Sequence, residues 1–234
     1  MMQFEFTISK DKEKQILIDL FQEDDPLGID GRSRQCAFSV ELARKINGGK
    51  PADWQTELDA LLDGVYEQNA DKLKAALSFF KNYWKENESR FFERLHQIFQ
   101  HEIPTYHVLL SHFVAGTSDW HGVDICTNAY SPAWKGTDCH AYFLLFEVIL
   151  SQAFMMIRTL KNENELPDVK VWALSELTAF TLLHHEWPAF GYLEKTGYDA
   201  VDEMIPDARR LYRKNKGMRV FLEDIMRPQS GSPA

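Results

Sequence analysis

Glu147 lies in Tyr142-Phe143-Leu144-Leu145-Phe146-Glu147-Val148-Ile149-Leu150, a run that is otherwise apolar. An ionised carboxylate there is costly unless it finds partners, and without them its pKa rises. At 3.6 residues per turn, His140, Glu147, Ser151 and Arg158 fall near one line along a helix. Two readings follow. Either Ser151 and Arg158 satisfy Glu147 in a buried polar stripe, or Glu147 is a general base or the remnant of one. Glu176, in Trp172-Ala173-Leu174-Ser175-Glu176-Leu177-Thr178-Ala179-Phe180, is a second acid on a largely apolar segment. It is either drawn inward or left partly exposed on an amphipathic face. If inward, two carboxylates on successive helices could share a proton or a metal.

Other residues offer weaker chemistry. His184-His185-Glu186 is the only adjacent histidine pair, but neighbouring helical positions point about 100° apart and chelate poorly. The pair is expected to serve the end of its helix. His96, His101, His107 and His112 have no recognisable ligand spacing, and neither acid sits in a Glu-x-x-His arrangement. No metal ligand set and no cofactor are therefore expected. Zinc or another metal enters only through an alternative in which Glu147 and Glu176 recruit His140 or His184. Cys139-His140 and Thr117-Ser118-Asp119-Trp120-His121 gather nucleophile and base types, yet adjacent residues rarely form the nucleophile–base bond and no G-x-S-x-G elbow is present. Phosphate-binding glycine signatures are missing too.

The elements that must position these groups are mostly helices. Phe4, Phe6 and Ile8 alternate as in a half-buried strand over residues 3–8. Asp11 to Gln22 reads as a helix stopped at Asp24-Asp25-Pro26. Ser33 is expected to cap a helix running to Ile46 and closed by Gly48-Gly49. Pro51 opens another, with Trp54, Leu58, Leu61, Leu62 and Val65 at helical spacing. From Asn69 or Asp71, Leu73, Leu77, Phe80, Trp84, Phe91, Leu95 and Phe99 form the strongest amphipathic stripe. Tyr106 to Val114 and Gly122 to Ile125 read as strands, a hairpin or two neighbours. Asp138 is expected to cap the apolar helix, which runs to about Asn162. Asp168 to Glu186 gives the next, stopped by Trp187-Pro188. A helix from about Tyr198, broken at Pro206, and a short one around Val220 follow. The fold class is α+β and mainly α-helical, in one domain over 1–234. Within it, a strand and helices occupy 1–68, a core occupies 69–226, and 227–234 form a frayed tail.

Composition bounds the class. Of 234 residues, 44% are hydrophobic and 13% aromatic, ample for a buried core. The net charge of -9 repels phosphate backbones and argues against nucleic acid. An acidic surface suits a basic protein partner or simple solubility, and leaves the oligomeric state open. The three cysteines, Cys36, Cys126 and Cys139, contain no C-x-x-C pair, against a disulfide framework or a structural zinc. The first residues lack a signal-peptide core. The apolar runs, interrupted by Glu147, are expected to be too short for a membrane span. The expected address is cytoplasmic.

Two strands, a buried helix carrying Glu147, and a Trp-x-x-Ser-Glu-x-x-Ala-Phe helix resemble the core of a gluzincin-type zinc metallopeptidase. The resemblance covers roughly residues 70–226 and implies a zincin-like helical core with a small β-sheet. In that family the first helix carries HExxH, whose histidines bind zinc and whose glutamate activates water. The second helix supplies a glutamate ligand. Laid on this chain, Phe146-Glu147-Val148-Ile149-Leu150 takes the HExxH slot and Glu176 the third-ligand slot. Phe146 and Leu150 then stand in place of both histidines, and neither can coordinate a metal. The resemblance therefore implies a pseudoenzyme: a peptidase scaffold without peptidase chemistry, acting by binding or in another role that the sequence does not name. Two alternatives stand beside it. One is an enzyme using Glu147 and Glu176 with an unrecognised metal, and the other an acidic helical interaction or immunity-type protein.

Overall fold

The computed structural model describes residues 3–22, 28–114, 116–119, 122–129, 139–188, 198–215 and 217–227. The chain is α+β and mainly helical, with a four-stranded mixed sheet. Its contacts divide it into two compact units. The first comprises Met1–Glu88, Tyr106–Thr117 and Asp124–Pro132; the second comprises Ser89–Thr105, Ser118–Val123 and Ala133–Ala234.

In the first unit, β1 (Phe4–Thr7) pairs in parallel with β2 (Tyr106–Ser111), Phe4 opposite Tyr106 and Phe6 opposite Val108. β2 pairs in parallel with β4 (Asp124–Asn128), from His107 opposite Asp124 to Ser111 opposite Asn128. The two central segments are thus neighbours but not a hairpin. A parallel pair needs a crossover, and the chain makes it through β3 (Gly116–Ser118), which takes the outer edge in the order β1-β2-β4-β3.

The strand alternation sorts side chains between two layers. One face carries Phe4, Phe6 and Tyr106, which meet the long helix α5 (Ala70–Phe99) through Phe4–Trp84 at 4.6 Å and Phe6–Phe80 at 5.6 Å between ring centroids. The other face sends Leu109 and Cys126 into a core with four helices: α1 (Lys10–Gln22), α2 (Gly28–Gln35), α3 (Val40–Asn47) and α4 (Pro51–Gln68). Leu17, Phe21, Leu42, Ile46, Trp54 and Leu58 fill that core, recurring at the helical spacing that the sequence displays.

One boundary differs from expectation. Ser33 does not cap a helix to Ile46; it is buried inside α2, and Ser39 is the cap, its Oγ accepting from Leu42 N at 3.3 Å. The helices separate because Ala37 takes a left-handed backbone (φ 50°), which a helix interior does not tolerate. Gly49 closes α3 with φ 67°, where glycine avoids the cost of a Cβ. Asp24-Asp25-Pro26, Asp138 and the tail 228–234 lie outside the described residues.

The second unit is helical. α6 (Cys139–Leu160) packs on α7 (Asp168–Glu186), joined by α8 (Asp199–Asp202), α9 (Ile205–Lys214) and α10 (Met218–Ile225). Pro206 sits in the first turn of α9, where its missing N–H costs nothing, and so marks the start of a new helix. α6 corrects the expectation about length, because His140–Leu160 is long and apolar enough to cross a membrane by composition alone. Leu144, Leu145, Val148, Ile149, Ala153 and Ile157 are nevertheless fully buried within the protein, as in the central helix of a soluble fold.

Candidate functional site

Glu147 projects from the middle of α6 and Glu176 from the middle of α7, so the pairing of these two helices sets the distance between the acids. Ser118, the last residue of β3, donates its hydroxyl to Glu147 Oε2. Glu147 is half-buried, and burial pushes its pKa up to about 7, with the Ser118 hydrogen bond opposing the rise. Glu176 is drawn inward, at 8% exposure. Burial first, and repulsion from the Glu147 charge second, push it up to about 8. Among the described residues Glu176 has neither a hydrogen bond nor an ion pair.

An aromatic pair stands beside the acids. Trp172 lies one turn before Glu176 on α7, and Tyr198, at the N-terminus of α8, meets it edge-on at 4.9 Å. Burial raises the Tyr198 phenol, and so do the charges of Glu176 and Glu147, which places that ring in the field of both carboxylates.

The polar stripe expected along α6 does not assemble around Glu147. Ser151 donates instead to the Gly122 carbonyl at 3.1 Å. Arg158 turns to the loop after α6, donating to Leu166 O at 2.6 Å, pairing with Asp168 and lying 5.5 Å from the Phe154 ring centre. Three helical turns separate Arg158 from Glu147, and a free carbonyl and a carboxylate lie closer to its guanidinium. His140 is buried in the first turn of α6, and neither acid is hydrogen-bonded to it. Among the described residues, no group of three His, Cys, Asp or Glu side chains is disposed to hold a metal ion. Phe146 stacks with Tyr142 at 6.2 Å, and Leu150 is buried.

At the end of α7, Glu186 is held by two of the Arg94 nitrogens, Nε at 2.8 Å and Nη2 at 2.6 Å, and by the Tyr212 hydroxyl at 2.6 Å. His185 stacks on Tyr212 at 5.3 Å, and burial lowers the pKa of both His184 and His185. The histidine pair thus belongs to a helix-end cluster, as its position suggests. The Cys139 side chain, Trp120 and His121 lie outside the described residues.

A third acid escaped sequence reasoning. Glu13 on α1 is fully buried and accepts from Tyr66 Oη at 2.6 Å, from Ser111 Oγ, and from the backbone N–H groups of His112 and Phe113, each at 2.8 Å. Ser111 Oγ in turn accepts from Val114 N at 2.8 Å, and Asn128 donates to the His112 carbonyl at 2.7 Å. The carboxylate thereby ties α1 and α4 to the turn that leaves β2. Its only trace in the sequence is an acid in the first turn of a helix, which is commonplace.

Compared with protein-family models, curated proteins and solved structures, the chain gives no significant match.

Proposed function

We propose that this protein is a binding protein without peptidase activity, built on a metallopeptidase-like helical core that lacks zinc ligands. The observation that carries this reading is the neighbourhood of Glu147. Two acids from consecutive helices lie close enough for the Glu147 charge to act on Glu176, and Phe146 and Leu150, which the resemblance sets in the histidine positions, are hydrocarbons. Zinc needs lone-pair donors at about 2.0–2.3 Å, and hydrocarbon side chains offer none. The test is elemental analysis of the purified chain together with peptide hydrolysis in the presence and absence of a chelator. The expected result is no stoichiometric zinc and no chelator-sensitive cleavage. Stoichiometric zinc released by Glu147→Gln or Glu176→Gln would overturn the reading. A cytoplasmic address is part of the proposal, supported by Cys36 and Cys126, buried cysteines that are not joined in a disulfide.

One observation favours a second reading. Carboxyls poised near neutrality suit proton transfer, so Glu147 and Glu176 could act as the acid and base of an enzyme. That reading predicts a turnover activity whose pH profile moves in Glu176→Gln; ligand binding without turnover supports the first.

A further inference from the structure

We propose that Glu147, Glu176, Trp172 and Tyr198 form a binding site for an organic cation, a primary ammonium or a guanidinium group. The inference rests on the binding-protein reading and names the ligand's chemistry.

Glu176 is more than nine-tenths buried and has no hydrogen bond or ion pair among the described residues, although a carboxylate can accept several. Buried polar groups are normally satisfied within the protein, so a buried carboxylate left open is where a donor from outside fits. Glu147 shares this want in part: the Ser118 hydroxyl serves Oε2, and among the described residues no cation pairs with either acid. A ligand entering here must therefore bring N–H donors and positive charge. One cation between the two carboxylates would relieve the repulsion that the Glu147 charge imposes on Glu176.

The aromatic pair narrows the class. Trp172, one turn of α7 before Glu176, meets Tyr198 edge-on at 4.9 Å, and Tyr198 is half exposed while Glu176 is buried. Indole and phenol faces attract ammonium and guanidinium groups and tolerate their alkyl stems, whereas a hydrated metal ion gains little from them. Lone-pair donors suited to a metal are too few, since no third His, Cys, Asp or Glu joins the two acids among the described residues. The ligand is thus a nitrogen cation on an alkyl stem, whether a free polyamine-like molecule or the Lys or Arg tip of a protein partner.

The test is isothermal titration of the full chain with putrescine, with agmatine, and with two short peptides carrying a single Lys or a single Arg. Binding of at least one cation is expected, weakened tenfold or more by the isosteric Glu176→Gln and severalfold by Tyr198→Leu, with both variants folded by circular dichroism. Binding of the free amines but not the peptides assigns a small-molecule source; binding of a peptide alone assigns a protein partner. No binding of any of the four, or binding unchanged in Glu176→Gln, overturns the proposal. Failure of the cations with no zinc in the chain rejects this ligand class and leaves the binding-protein reading standing. Stoichiometric zinc at the acids rejects the binding-protein reading as well.

Discussion

Two buried regions handle the same functional group in opposite ways. In the first unit, Glu13 has four donors around its two oxygens, two of them backbone amides at 2.8 Å. In the second, Glu176 has none among the described residues, and Glu147 has one from Ser118. A carboxylate with its acceptor capacity filled is a tie within the fold. One left open, next to another acid, costs stability. Glu13 is thus a tie within the fold, whereas the acceptor capacity of Glu176 stays open among the described residues.

The contrast breaks first at Glu13. Glu13→Ala would strand a tyrosine hydroxyl, a serine hydroxyl and two backbone amides, and should cost about 3 kcal/mol or more in denaturant unfolding. Tyr66→Phe, which removes one donor and leaves three, should cost about 1–2 kcal/mol. A value near zero for Glu13→Ala would erase the distinction.

The opposite sign is expected in the second unit. Both Glu147 and Glu176 titrate higher in the folded chain than in the unfolded one, at about 7 and about 8. Their contribution is fully present below the unfolded value, near 4.5, and is lost as pH rises through 7 and 8, because the unfolded state then holds fewer protons. Glu176→Gln should therefore stabilise the chain at pH 9, by about 1–3 kcal/mol, and have little effect at pH 5. His112, His184 and His185, whose pKa values burial lowers, contribute in the other direction around pH 6.5. The informative measurement is the difference between variant and parent across pH 5–9, not the parent curve alone. A destabilised Glu176→Gln at pH 9 would mean that the acid has a partner after all.

Smaller effects sharpen the picture. Tyr212→Phe removes one of the donors holding Glu186 and should cost about 1 kcal/mol, with Arg94 still in place. Ser118→Ala should raise the Glu147 pKa further, since the hydroxyl is the group that favours its charged form, and carboxyl NMR titration would read the shift. An unchanged Glu147 titration would remove Ser118 from the site.

Much of this was legible along the chain. The stripes Leu58–Leu62 and Leu73–Phe99 announced their helices, Pro51 marked a helix start, Pro206 marked a break that proves to be the start of α9, and the apolar run around Glu147 announced a central helix. Each signal is local, because helical hydrogen bonds and the 3.6 period join residues a few positions apart. Glu147 and Glu176 were visible for the same reason, as acids among hydrocarbons.

What the linear chain could not decide depended on groups far apart in it. The parallel pairing of β1 with β2 joins residues about a hundred positions apart, so the first unit is assembled from three stretches of chain. The partners of Arg158 and Ser151 were chosen by what lay nearest in space, and Glu13 gained its role only when the turn after β2 brought two amides to it. Residue types and their periods are written in the sequence; which donor reaches which acceptor is settled by packing, since a hydrogen bond depends on ångströms and not on spacing along the chain.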